Sequence, residues 1–175
     1  MPPPVGLDFV DVRSILSRLG TLASNELVLV GGQALNFWAD YYGRQGRLGA
    51  LVQDGTFTSK DIDFFGGPES VEQCAQLLNG TYLKAGFDDP VPQSGTVTFR
   101  DDRGIERTID LLSSLYGVKT GRIQKTAIPF ELEETGLVFS VLHPVLCLFS
   151  RACNTEGLPG YDSEHALRQL RAAVA

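Results

Sequence analysis

The 175-residue chain has little of what several common kinds of active site need. It holds two histidines, His143 and His165, and three cysteines, Cys74, Cys147 and Cys153. None has the spacing of a CxxC or Cys/His ligand set, which argues against a zinc site. The cysteines are expected to be small buried hydrophobes in a reducing compartment. A GxSxG elbow and a Walker-type GK[ST] loop are both missing, which argues against a serine hydrolase and a P-loop enzyme. No apolar run approaches the ~20 residues that a membrane span needs, so no membrane partner is expected. Residues 1–6 lack the basic and apolar parts of a signal peptide, and a cytoplasmic location is the expectation. Basic residues are outnumbered, 15 Lys and Arg against 21 Asp and Glu, for a net charge of −6. That balance suits general nucleic-acid binding poorly, because such affinity comes from neutralising phosphates. Two groups of arginines, Arg44 with Arg47 and Arg100 with Arg103 and Arg107, are expected to be solvated surface charges.

What is present is an ordinary globular composition, 43% apolar, in a length that suits one domain. Residues 8–19 carry Phe9, Val12, Ile15, Leu16 and Leu19 at helical spacing, with Asp8 as a cap and Gly20 at the far end. Residues 26–30 form a short strand, apolar on both faces. Gly31 and Gly32 then let the chain turn sharply into a helix that buries Ala34, Leu35 and Trp38 and frays near 41–43. Tyr41 and Tyr42 form the rim of Trp38. Residues 43–59 make an unusually long loop. A strand over 61–65 precedes a helix over 68–80, with Pro68 in its first turn. Residues 82–87 suit either a strand or a helix end, and 88–94 are turn material. Strands over 96–100 and 105–112 flank Asp101-Asp102-Arg103-Gly104 as a hairpin. In the second of them Glu106, Thr108, Asp110 and Leu112 share one face, and Ile105, Ile109 and Leu111 the other. Strands over 127–132 and 137–142 follow, then helices over 144–154, with His143 in a capping or surface role at its start, and 163–174. This order predicts an α/β (α+β) fold with one mixed β-sheet flanked by helices. The expected division is a domain over 1–142 and a C-terminal helical segment over 143–175, the start of a longer helical domain.

Asp61 and Asp63 lie two apart on a strand, so both carboxylates project to one face. Like charges that close repel unless a cation lies between them. Oxygen-only ligands suit Mg2+ or Mn2+ shared with substrate phosphates. The Gly31-Gly32 turn at a helix N-terminus offers N–H groups to a phosphate. Asp110, on a separate strand, is available as a third carboxylate. Each feature has a plainer alternative: a solvated strand edge, a bare strand-to-helix turn, and for Asp110 a turn cap with Ser113 and Ser114.

Val30-Gly31-Gly32-Gln33-Ala34-Leu35, then Ser59-Lys60-Asp61-Ile62-Asp63-Phe64, then a later strand aspartate, resembles the nucleotidyltransferase superfamily of the DNA polymerase beta type. More narrowly it is similar to the AbiEii-like toxin branch. The resemblance covers residues 27–112. It implies a nucleotidyltransferase-like sheet in which Asp61, Asp63 and Asp110 are the catalytic metal ligands. Asp110 would act as, or orient, the general base. Gly31, Gly32 and Gln33 would receive the triphosphate, with Lys60 as a further phosphate contact. The implied reaction moves an NMP from an NTP to a hydroxyl of RNA (tRNA-like) or protein, with release of pyrophosphate. A toxin–antitoxin role with a cognate antitoxin as partner is implied too. The gap between Gly32 and Asp61 is longer than usual, which makes the loop with Arg44 and Arg47 an insertion or a substrate-binding element. The branch's lysine on the first C-terminal helix is replaced by Arg151, and Asp162 or Glu164 stands for its acid. The alternative is a non-catalytic module that keeps the fold and binds a nucleotide or a partner.

Overall fold

Apolar periodicity builds the first elements. In the computed structural model, which describes residues 7, 9–44, 61–86, 92–157, 167 and 170, α1 (Phe9–Leu19) buries Phe9, Val12, Ile15, Leu16 and Leu19. α2 (Thr21–Asn25) follows Gly20. β1 (Val28–Val30) is buried throughout, and α3 (Gly31–Arg44) begins on the first glycine of the pair. α3 runs on through 41–43 instead of fraying there. Aromatic pairs four residues apart hold its last turns: Phe37 stacks with Tyr41 at 6.2 Å and Trp38 with Tyr42 at 5.8 Å.

β2 (Ile62–Phe65) leads into α4 (Pro68–Leu78), which Asn79 ends in a left-handed conformation. β3 (Thr81–Lys84), an exposed edge strand, fills the segment that the sequence leaves open. β4 (Gln93–Arg100) and β5 (Glu106–Leu112) form the expected hairpin. α5 (Thr120–Thr126), β6 (Ile128–Leu132), β7 (Leu137–Val141) and α6 (Pro144–Gly157) complete the order. α2 and α5 are not foreseen. They bury only Leu22 with Ala23 and Ile123 respectively, too few positions to show a helical period. The cap at Asp8, the loop over 45–60 with Arg47 and Lys60, and Asp162, Glu164 and His165 lie outside the described residues, as does most of 163–174.

The strands form one seven-stranded mixed sheet in the order β3-β4-β5-β2-β1-β7-β6. β2 pairs with β5 and β1 with β7 in parallel; the other neighbours are antiparallel. Ile62, Phe64, Val97, Phe99, Ile109 and Leu111 are buried on one face, with α1 and α4 in the same core. Asp63, Phe65, Thr96, Asp110 and Leu112 alternate with them on the opposite, half-buried face. Among the described residues no helix is long and apolar enough to cross a membrane. The thiols of Cys74 and Cys147 are buried and pushed up to about 12 by that burial, so neither is a nucleophile at neutral pH.

Arg107 is not the surface charge expected from the sequence. Alternation sends it to the covered face with Ile109 and Leu111, and its side chain is 2% exposed. It survives there because its Nε donates to Asp101 Oδ2 at 2.9 Å. The Asp101 Oδ1 accepts from the amides of Arg103 and Ile105, both at 2.9 Å, so one carboxylate closes the turn and neutralises the arginine. Burial by itself would raise the Asp101 carboxyl. The Arg107 bond and the two amides outweigh it and hold the group below the usual carboxylate range. Its stabilising contribution is therefore complete above the unfolded-state pKa and is lost as pH falls through the depressed value. Asp101→Ala should lower the unfolding free energy by about 2 kcal/mol at pH 7, with the deficit closing in acid. Denaturant melts at pH 7 and pH 3 check this; equal midpoints at pH 7 would show that Arg107 is compensated elsewhere.

Candidate active site

Strand pairing brings the acidic residues together. β2 and β5 run parallel with Asp63 directly opposite Asp110, so two carboxylates stand side by side on strands ~4.8 Å apart. β1 lies on the other side of β2, with Val30 paired to Asp63. The chain leaving Val30 therefore passes straight over the Asp63 side chain. A Cβ built on Gly31 would lie 2.0 Å from Asp63 Oδ2, and Gly31 has φ +62°. Only glycine meets both conditions. One residue on, the Gly32 amide at the start of α3 donates to the Asp63 carboxylate.

These neighbours compete over the charge of Asp63. Its pKa is pushed up to about 7, first by burial, then by the negative charges of Asp110 and Asp61. The guanidinium of Arg151 and the Gly32 amide act the other way. Asp110 is oriented by the opposite strand: Thr96 Oγ1 donates to its Oδ1 at 2.7 Å. A bulge between Gln93 and Gly95 turns Ser94 inward, where its hydroxyl donates to the Gly66 carbonyl, and keeps Gln93 on the carboxylate face.

A cavity of about 420 Å³ opens over this face. Gly31, Gly32, Asp63 and Asp110 line one side, and Ser150, Arg151 and Asn154 of α6 line it too, with Leu35, Leu112, Leu142 and Cys147 as apolar wall. Cys147, Ser150, Arg151 and Asn154 are spaced three and four apart, hence one helix face. α6 is set there by its start. The Leu142 amide donates to the Leu29 carbonyl at 2.9 Å, and the Trp38 indole donates to the Leu142 carbonyl at 2.8 Å. His143 caps the helix as expected: its carbonyl accepts from the Leu146 and Cys147 amides and its Nδ1 from the Val145 amide.

Gly31, Gly32, Asp63, Asp110 and Arg151 thus meet at one cavity. Asp61 precedes β2 instead of lying within it and is exposed, though its charge still reaches Asp63. Gln33 is not a cavity residue. Its side chain is fully buried, with Nε2 donating to the Leu7 carbonyl at 3.4 Å and Oε1 accepting from Asn36 Nδ2 at 2.9 Å. Ser150, Asn154 and Tyr116, which line the cavity, and Thr96, which bonds Asp110, are candidate-site residues that sequence reasoning missed. Counting back from the hairpin turn would have found Thr96 opposite Asp110, and one helix turn from Arg151 would have found Asn154.

The donor set fits a divalent cation: oxygen-only, and with a repulsion that positive charge would relieve. Among the described residues no three His, Cys, Asp or Glu side chains already stand in ligand spacing, and Asp63 is held by the Gly32 amide. The raised pKa of Asp63 has a sign that can be checked. The folded chain takes up this proton between the ordinary value of 3.8 and about 7, so stability is lost as pH rises through that window. Asp63→Asn should therefore melt higher than the wild type at pH 8 without divalent cation and equal to it at pH 3.5. A variant that melts lower at pH 8 would contradict this account.

No family model matches the sequence, and no curated protein matches it. Among solved structures, an antigenic nucleotidyltransferase-like protein from Paracoccidioides brasiliensis superposes with a TM-score of 0.57 at 14% identity, over 98% of this chain and 78% of that one. The antibiotic-resistance factor ANT(2'')-Ia superposes with a TM-score of 0.54 at 14% identity, over 95% of this chain and 84% of that one. At such identity the likeness is one of fold. The chain has a nucleotidyltransferase-like fold, a mixed seven-stranded sheet flanked by helices.

Proposed function

We propose that this protein is a metal-dependent nucleotidyltransferase that moves an NMP from an NTP to a hydroxyl group. The observation that carries the reading is Asp63 beside Asp110 in parallel register, under the Gly31-Gly32 turn and in one cavity with Arg151. The two similar structures support it through their own names. In the reaction the acceptor oxygen forms a bond to the α-phosphorus, and the bond from that phosphorus to the bridging oxygen breaks. Pyrophosphate leaves, and the acceptor proton passes to Asp110, whose other oxygen is fixed by Thr96. Asp63 and Asp110, with Asp61 at the rim, would hold Mg2+, which neutralises charge on the reacting phosphates. Arg151 complements the triphosphate electrostatically, and Gly31 and Gly32 line the same cavity at the start of α3, where the helix end favours an anion.

The acceptor we propose is a hydroxyl of RNA or protein, with Lys60 as a phosphate contact. The resemblance of residues 30–35 and 59–64 to the AbiEii-like branch supports a toxin role with a cognate antitoxin. NTP with Mg2+ should raise the melting temperature, since a ligand that binds only the native state must do so. Asp63→Ala and Asp110→Ala should cut pyrophosphate release by at least about 100-fold with the far-UV spectrum unchanged. Two fully active variants would remove the metal assignment. A melting shift with NTP but no pyrophosphate release from any RNA or protein acceptor would favour the non-catalytic nucleotide-binding module.

A further inference from the structure

A second cavity, of about 180 Å³, lies between α1, α3 and the β6–β7 turn and shares no lining residue with the one over the carboxylates. Its wall is a set of interlocked rings. Phe37 meets Phe9 at 4.9 Å, Phe130 at 4.5 Å and Phe139 at 5.7 Å, and Tyr41 packs on Phe130 at 5.4 Å. Phe9, Phe37 and Phe139 are buried, so the open part of the wall is the half-buried Phe130 and Tyr41, which is 37% exposed. Such ring faces attract a cation. The charges beside them have the matching sign: Asp40 of α3 and Glu133 and Glu134 of the turn line the cavity, against the one guanidinium of Arg13. Glu131, also on the wall, alternates with Phe130 and turns its carboxylate toward Gly136. Arg13 shows what this combination of groups holds. Its guanidinium lies 5.4 Å over the Phe9 ring and donates to Glu134 Oε1 at 3.0 Å. It stands 4.0 Å from Asp40, and the Glu134 side chain stays 62% exposed, so one arginine does not use up the negative charge.

We propose that this cavity is a docking pocket for an arginine side chain presented by a partner protein. The guanidinium stacks on Tyr41 and Phe130 and bonds to Glu133 and Glu134. Size favours one side chain, since sites for small molecules begin at about 300 Å³. Arginine suits the walls better than lysine, because a planar fork both stacks on rings and pairs with carboxylates. The acidic rim would repel the phosphates of a nucleic acid, which leaves a protein as the partner. Tyr41 lies ~15 Å along α3 from Gly31, so a docked arginine stays clear of the carboxylate pair. The inference is independent of the nucleotidyltransferase reading.

The test is titration with a blocked Gly-Gly-Arg-Gly-Gly peptide, and with the same peptide carrying lysine or citrulline in place of arginine. The chain's single tryptophan is the reporter: the Trp38 ring lies 5.8 Å from that of Tyr41 and 5.4 Å from that of Phe130. The arginine peptide should change its emission saturably, with a Kd of about 1 mM. Citrulline, uncharged at the same shape, should bind at least about tenfold more weakly, and lysine about threefold. Tyr41→Ala should weaken the arginine peptide about fivefold, with Tyr41→Phe restoring it. Glu133→Gln, at an exposed position, should weaken it by a similar factor of about five with the melting temperature unchanged. No saturable change with the arginine peptide overturns the pocket, and so does citrulline bound as tightly as arginine. Equal affinity in Tyr41→Ala and Glu133→Gln overturns it too, and lysine bound more tightly than arginine overturns the choice of side chain. A wild type that dimerises while Tyr41→Ala stays monomeric gives the pocket to a second copy of the chain and overturns the partner.

Discussion

Two carboxylates side by side in a parallel strand pair set the terms for everything around them. Asp63 and Asp110 face the same way because β2 and β5 are in register, and burial makes their repulsion expensive. The protein offsets part of it with three local donors or charges: the Gly32 amide, the Thr96 hydroxyl and the Arg151 guanidinium. Each comes from a different element, so α3, β4 and α6 are all positioned against one pair of side chains. Asp63 is left with a pKa near neutrality, so the compensation is incomplete without an added positive charge. A strained acidic pair of this kind beside a cavity is what marks a candidate functional site.

The same constraint explains the short β1. A strand of three residues hands the chain to α3 directly above Asp63, and Gly31 must then occupy a space in which any Cβ would strike the carboxylate. The glycine pair was legible in the sequence as a close-approach turn. What it approaches in the structure is a side chain of the protein itself, through the Gly32 amide. The acidic group stands where an incoming anion would, which ties the phosphate end of the site to the state of Asp63.

Alternation made part of this readable. The face shared by Asp110 and Leu112, and the hairpin around Asp101, follow from period-two patterning and turn chemistry. The parallel register of β2 with β5 does not, because α4, β3 and β4 intervene and sheet order is settled by packing across the whole domain. Arg107 was misjudged because a charge on a covered face is unfavourable unless paired, and its partner sits in the turn, six residues away. The Gln33 side chain was not placed by the sequence for the converse reason. It stands next to the glycine pair in sequence, but the helix rotates it away from the cavity into contact with Leu7 and Asn36.

The boundary at residue 143 looks natural in sequence, where strands give way to a helix, yet the site straddles it. Leu142 bonds to Leu29 in the central strand and accepts from Trp38 on α3, so the first turn of α6 is tied to the elements that carry Gly31 and Asp63. A helix set at its start carries its later residues to defined places, about 1.5 Å per residue along its axis. Ser150, Arg151 and Asn154 reach the cavity in this way, without any loop to place them. The placement of the guanidinium opposite the carboxylates is thus tied to the two hydrogen bonds that Leu142 makes beside β1. A unit that carries the whole cavity must therefore include α6 as far as Asn154.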